Sequence, residues 1–347
     1  MKGIFRNLLQ ILTTNQNIVW FQDLVGFQEI SAENVRENIA LEGEFLTSAI
    51  SGRSLRCGRL EIPTLQELRE RIPLSDFAGK IQLEEVVGDA MALHKDIANE
   101  NAVFQAASQF NLLEMAGPGI TPEARVDGYE NDKTQGPACA IACGAGTIYR
   151  NYFVPLNGRI GQSADNQIDC LEEIGRILGN DGDKLWEMRN GYAMFSEEGL
   201  AILNGRLADL TGGERENLKA QLKVGIQWNT EVTAAESGHT VSQVYCSALP
   251  VGYHYFGDSS AFKAFSRLIL EAAYEATFYA AVENLRRAKS PKLFLTLVGG
   301  GVFGNETCWI LNAINISLEK FCEVPLEVKV VSYGSLNSQL GTFCQKF

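Results

Sequence analysis

Residues 293–305 read LFLTLVGGGVFGN. The first six residues form an apolar run of the length of a buried strand. The glycines that follow let the backbone approach a ligand closely. The helix predicted over ETCWILNAINISLEKF (306–321) sets N–H groups just beyond them. A last strand, LEVKVVSY (326–333), comes next. Strand, glycine loop, helix and strand in this order predict a layered α/β domain, with the loop at the carboxyl end of its strand, where open α/β sheets bind ligands. One reading of the loop is a phosphate site; the other is a tight structural turn. No Gly-Lys-Ser/Thr follows, which excludes a P-loop. Gly299 to Gly304 also match GxGxxG. A dinucleotide fold, however, opens with that motif and closes its next strand with an acid. Here the motif precedes the final strand, which ends in Ser332 and Tyr333.

Upstream, the pattern keeps alternating. Residues 261–287 predict the longest helix, with Phe265, Leu268, Ala272, Ala276, Tyr279 and Val282 on one face. VGIQWNTEVT and TVSQVYCSALPVGY read as strands around a turn at 236–238, and amphipathic helices are predicted over 168–178, 197–210 and 212–222. Thr211-Gly-Gly-Glu214 and Thr64-Leu-Gln-Glu67 are capping boxes. Residues 102–107 form a short buried strand. A loop rich in glycine and acid follows (MAGPGITPEARVDGYENDKTQG, 115–136), then Pro137 and a buried small-residue helix over 137–150. IQLEEVVGD (81–89) reads as strand and turn. Residues 1–75 read as a helical extension, including a helix from Ser31 to near Ile50, and 76–347 as the α/β domain.

The chain has 347 residues, with 30 basic against 42 acidic, a net charge of −12. That balance argues against nucleic acid as a partner, since a duplex-binding surface is basic. A phosphate would have to be held by main-chain N–H groups. No stretch approaches ~18 uninterrupted apolar residues, so no membrane span is expected, and MKGIFRNLLQILTTNQ makes a poor secretory signal. The eight cysteines include no CxxC and read as reduced core thiols in a cytosol-like compartment. The three histidines are scattered, so no metal site is expected. His254 reads as a hydrogen-bonded loop residue.

Three segments together resemble a macrodomain. VFQAASQFN (103–111) is similar to the strand that ends in an Asn-Ala-Ala-Asn-like sequence. QGPACAIACGAG (135–146) is similar to the glycine loop and small-residue helix, and LVGGGVFGN (297–305) to the Gly-Ile/Val-Phe-Gly loop. Val86 to Ala90 resembles the Gly-Asp-Ile turn that precedes them. Gln105 and Ser108 stand where asparagines are usual, and the acidic insert 116–134 separates strand from helix. With SQFNLLEM and YENDKTQGPACA, these features look closest to the MavL-like macrodomains. The chain differs from poly(ADP-ribose) glycohydrolase in that no Gln-Glu-Glu follows the three glycines.

The resemblance implies a three-layer α/β/α fold with a mixed central sheet, and an ADP-ribose site that needs no cofactor. Gly300, Gly301, Val302, Gly304 and Asn305 would line the diphosphate, and Phe303 would pack on a ribose. Gln135 and Gly136 would face the diphosphate or the distal ribose, and Asp89 the adenine amino group. The MavL-like group removes ADP-ribose from arginine, and its bacterial members include effectors acting on ubiquitin. The implied partner is therefore an arginine-ADP-ribosylated protein such as ubiquitin, with delivery into a host cytosol if the chain is an effector. Hydrolysis of that N-glycosidic bond passes through an oxocarbenium-like state. One carboxylate can activate water and another can grip the guanidinium. Glu114, Glu123 and Asp132 are the favoured acids. Gln109 and Asn111, at a strand's carboxyl end, could bind ribose hydroxyls, and Tyr333 could stack on adenine. The competing reading is a module that binds ADP-ribose without cleaving it.

Overall fold

The computed structural model describes residues 20–256 and 258–344, so the opening MKGIFRNLLQILTTNQ lies outside the described residues. A seven-stranded mixed sheet forms the centre. Its strands are β1 (Arg59–Glu61), β2 (Gln82–Val87), β3 (Val103–Ala107), β4 (Gly225–Glu231), β5 (Thr240–Cys246), β6 (Lys292–Leu295) and β7 (Glu327–Ser332), in the spatial order β1-β4-β5-β3-β6-β7-β2. From β5 to β2 all neighbours are parallel, while β4 runs antiparallel to both β5 and β1 at one edge. The carboxyl ends of the five adjacent parallel strands therefore share one rim of the sheet.

Helices cover both faces, for a reason visible in two adjacent residues of β3. Successive strand residues point to opposite faces. The Phe104 ring stacks on His94 of helix α1 (Ala90–Lys95), 3.8 Å between centroids. The next side chain, Gln105, donates to Thr277 Oγ1 (3.0 Å) of helix α3 (Lys263–Ala288). Helix α2 (Gln135–Ala142) packs beside α1 on the first face, and α4 (Thr307–Lys320) packs on α3 across the second. The sheet and its two helical layers are the layered α/β fold expected from the alternation, in the α/β/α form that the macrodomain resemblance implied. The residues of α3 assigned to one apolar face are all buried, and so is most of the rest of that helix. This central position explains why its sequence is apolar nearly all round.

Both capping boxes form. Thr64 and Glu67 exchange hydrogen bonds, as do Thr211 and Glu214. Other local expectations give way to tertiary contacts. The helix opened by Ser31 stops at Asn38. The chain then turns through Gly43, at φ +60°, between the paired strands Ile39–Glu42 and Phe45–Ser48. The segment expected to be a helical extension thus carries a small sheet of its own, and Arg59–Glu61 joins the central one. The small-residue helix expected over 137–150 starts earlier, at Gln135, and breaks at Cys143. There the Gly144 N–H turns to Thr233 Oγ1 (2.8 Å), and the Trp20 and Leu24 side chains leave no room for a Cβ at Gly144. The helix expected from residue 168 is confined to Glu172–Leu178. Of the eight cysteines, Cys308 and Cys322 are exposed and Cys344 is half-buried, so only five are core thiols; none of the eight is in a disulfide.

Candidate active site

The chain leaves β3 toward the face covered by α2, and leaves β5 and β6 toward the face covered by α3 and α4. Loops that part in this way open a crevice at the carboxyl rim, the place where open α/β sheets bind ligands. Here the crevice is a cleft of about 260 Å³. It is lined by residues 107–109 at the end of β3 and 114–116 beyond it, 132 and 134–136 at the start of α2, Ala248 and Tyr253 after β5, and 296–299 and 301–303 after β6. No Lys or Arg is among its lining residues; Glu114 and Asp132 are.

The glycine loop forms one wall. Gly299 sits at φ +76°, and a Cβ there would meet Ala248 at 2.4 Å, so the position demands glycine. Asn305, which is buried, pins the loop. Its Nδ2 donates to Leu249 O (2.8 Å), and its N–H donates to Gly299 O (2.9 Å). Asn305 therefore braces the wall and does not line it. Gly301, Val302 and Phe303 do line it, and their N–H groups donate to no acceptor among the described residues. The Phe303 ring meets Tyr192 and Tyr253 at 5.4 and 5.7 Å. Gly300 and Gly304 shape the turn and are not among the lining residues.

The start of α2 forms the opposite wall. The Gln135 amide acts as an extra strand edge: its Oε1 accepts from Ala107 N (2.9 Å) and its Nε2 donates to Gln105 O (2.9 Å). Gly136 is pressed between Ala107 O and the Glu114 carboxyl; a Cβ would lie 2.2 and 2.3 Å from them. Replacing Gly136 with Ala is expected to lower stability by about 1–3 kcal/mol, the usual range for overpacking. It should also displace Glu114 and so abolish ligand binding. A thermal melt and calorimetry of Gly136→Ala would check both.

Glu114 is the buried carboxyl of the cleft, 8% exposed, and its Oε1 has no hydrogen-bond partner among the described residues. Burial pushes its pKa well above the usual carboxylate range. The Arg150 charge opposes that shift and the Asp132 charge adds to it. Asp132 lies on the rim and accepts from Thr134 N through Oδ1 (2.8 Å). The segment carrying Glu114 is held in a rare conformation. Leu112, buried, has φ +65°, and such strain persists only where surrounding contacts enforce it. Arg150 Nε donates to Leu112 O, Leu113 N donates to Asn111 Oδ1, and Met115 N donates to Gln109 Oε1 (3.2, 3.1 and 2.7 Å).

Those bonds revise several sequence expectations. Gln109 lines the cleft, but its amide oxygen is committed to Met115 N. Asn111 is fully buried, with Nδ2 given to Gln167, and does not line the cleft. Glu123 lies outside the cleft on the exposed insert, accepting from Ala164 N (2.8 Å). Asp89 and Tyr333 also stand outside it, farther along the same rim. Asp89 caps α1 by accepting from Ala92 N (3.0 Å), and Tyr333 is 80% exposed at the end of β7. His254 accepts from Phe195 N at Nε2 and meets Pro250 O at Nδ1, the hydrogen-bonded loop residue expected. Tyr192 is a cleft residue that the sequence expectations do not include. It reaches the cleft on a hairpin, Trp186–Arg189 paired with Tyr192–Phe195, whose Asn190-Gly191 turn is a sequence signal for such a hairpin. Among the described residues no group of three or more His, Cys, Asp or Glu could hold a metal ion, and no helix is long and apolar enough to cross a membrane.

No family model matches the sequence, and no curated protein matches it. Solved structures do. The poly(ADP-ribose) glycohydrolase of Thermomonospora curvata bound to the inhibitor ADP-HPD is 14% identical, with 91% of this chain and 97% of that one aligned and a TM-score of 0.44. The poly(ADP-ribose) glycohydrolase of Deinococcus radiodurans in complex with ADP-ribose is 12% identical over 91% of this chain and 96% of that one, with a TM-score of 0.41. These structures belong to a family distinct from the MavL-like group, which corrects the resemblance drawn from the sequence. The ubiquitin and effector expectations came with that resemblance and go with it.

Proposed function

We propose that the cleft binds ADP-ribose and that the protein hydrolyses the glycosidic bond joining the distal ribose to a protein side chain, with Glu114 as the acid–base group. The observation that carries this reading is the Glu114 carboxyl: buried, unpartnered at Oε1, and lining the same cleft as the start of α2 and the glycine loop. The unused N–H groups of Gly301, Val302 and Phe303 suit a diphosphate in a cleft that holds no Lys or Arg. The rings of Phe303, Tyr192 and Tyr253 suit a ribose face.

Arginine is the linkage we propose. A cleft whose charged lining residues are Glu114 and Asp132 favours a cationic leaving side chain. Entry of a guanidinium lowers the pKa of Glu114 toward its ionised form. The carboxylate then takes a proton from water as the water oxygen bonds to C1 of the distal ribose. The C1–N bond breaks, its electron pair stays on the guanidine nitrogen, and that nitrogen recovers the proton. A carboxylate whose pKa lies near the working pH is the more effective base. Asp132, on the rim, would pair with the departing guanidinium.

Incubation with peptides ADP-ribosylated on arginine, serine or glutamate, with free ADP-ribose measured, tests this. Release from the arginine peptide alone is expected. Release from another linkage instead would overturn the arginine assignment. Binding of ADP-ribose with no release from any peptide would leave a binding module and overturn the enzymatic reading.

A further inference from the structure

Glu114 contributes its carboxyl to the cleft, but little holds that carboxyl directly. Its position is set through the main chain. The Glu114 N–H donates to the Tyr129 hydroxyl (3.1 Å), and Tyr129 is buried within the acidic insert. The insert has little regular structure of its own, only short 3-10 turns at Pro122–Ala124 and Asp127–Asn131. Its anchor is a second buried carboxylate, Glu29, from the segment after the helix Trp20–Val25. Glu29 accepts from Val126 N (2.9 Å) and Asp127 N (2.6 Å), the two residues that lead into the turn carrying Tyr129, and also from the Tyr152 hydroxyl. Two further bonds tie the same segments: Arg125 Nη1 donates to Glu29 O (2.7 Å), and Trp20 Nε1 donates to Val126 O (3.2 Å).

We propose that Tyr129 and Glu29 are positioning residues for Glu114, acting in series: Glu29 fixes the insert, the insert fixes the Tyr129 hydroxyl, and that hydroxyl fixes the main chain of Glu114. The proposal rests on the reading of the cleft given above. Two features make the relay necessary. Leu112 lies in the left-handed region two residues before Glu114, so the segment needs outside contacts to hold its path. The carboxyl is also held away from water, where a small displacement changes both its reach and its protonation. The ionisable groups around it are Arg150, Asp132, Tyr129, Cys139, Tyr192 and Tyr245. Glu29 also gives the N-terminal segment a task, that of bracing the site from behind.

The test pairs Tyr129→Phe, which keeps the ring and removes the acceptor, with Glu29→Gln, which keeps the shape and turns an amide toward main-chain donors. With the arginine-linked peptide, each is expected to lower kcat about tenfold or more, with KM within about twofold of the parent. The rise of rate with pH should move to lower pH, because a loosened Glu114 meets water. Melting temperature reduced with kcat, KM and pH profile all unchanged would overturn the proposal in favour of a purely structural role. If Glu29→Gln fails to fold, Tyr129→Phe decides. If the parent itself releases nothing, the reading of the cleft fails, and positioning is decided by melting alone. The difference at pH 7 between the parent and Glu114→Gln should then vanish in the Tyr129→Phe background. Its survival at full size would overturn the proposal.

Discussion

Glu114→Gln is expected to be nearly inactive and more stable than the parent at neutral pH. Removing an acid–base group lowers rate typically 10²–10⁴-fold, so kcat should fall about a thousandfold, while ADP-ribose binding measured by calorimetry is retained. The gain in stability follows from linkage. Burial raises the pKa of Glu114 in the folded protein. Between the unfolded value and that raised value the folded state holds more protons than the unfolded one, so stability falls as pH rises through this window. An amide cannot ionise and is free of that loss. Melting temperatures of the two proteins should coincide near pH 4 and separate progressively toward pH 7, with Glu114→Gln higher. A lower melting temperature for Glu114→Gln at pH 7 would mean that the carboxylate is stabilised in the folded protein, and the description of the site would be wrong.

Glu275→Gln should have the opposite effect on stability. Glu275, 2% exposed on α3, is the hub of an ion-pair network. It accepts from Arg69 Nε (2.7 Å) and Nη2 (2.9 Å), from Lys219 Nζ (3.1 Å), and from Lys320 Nζ. One carboxylate thus ties three separate chain segments to the central helix. Burial alone would raise its pKa. The hydrogen bonds from Arg69 and Lys320, with the charges of Lys219 and Lys320, outweigh burial and hold it down to about 2. Losing the charge leaves Lys320 and the buried Lys219 beside Arg69, with Glu216 as the carboxylate still paired to Arg69 and Lys219. Breaking a buried pair in this way costs about 3–5 kcal/mol. Chemical denaturation should show a lower midpoint with its slope unchanged, the slope times the midpoint shift equalling that loss. The sign of the pH dependence is fixed as well. A depressed carboxylate stabilises above its unfolded pKa, near 4.5, and loses that contribution as pH falls toward 2. The parent's advantage over Glu275→Gln should therefore shrink across that interval. ADP-ribose binding, remote from this network, should survive wherever the protein remains folded.

The two carboxylates share a chain and a degree of burial, yet differ in what surrounds them. Glu275 is met by three cations, and its charge is an asset to the fold. Glu114 has Arg150 as its opposing charge, Asp132 against it, and an unpartnered oxygen. A group kept in that condition is a functional candidate for a physical reason, since it costs stability where it stands.

Features decided by neighbouring residues could be read from the sequence alone. Capping boxes at Thr64 and Thr211 involve residues three apart, and both form. The strand, glycine loop, helix and strand of residues 292–332 depend on apolar runs and on positions where only glycine fits, and these too are found. Alternation of such units was enough to predict a layered α/β fold. Only the tertiary structure could separate the acids from one another. Glu114, Glu123 and Asp132 look alike in a loop of acids, but one is buried against Gly136, one is exposed and bonded to Ala164, and one stands on the rim. Asn111 sits just past a strand end like a ligand-binding residue, but its side chain is spent on Leu113 N and on the distant Gln167. The burial of a carboxyl depends on atoms far off in the chain, such as Arg150 beside it and Glu29 behind its insert. No local pattern encodes those distances, because they exist only once the sheet has brought the segments together.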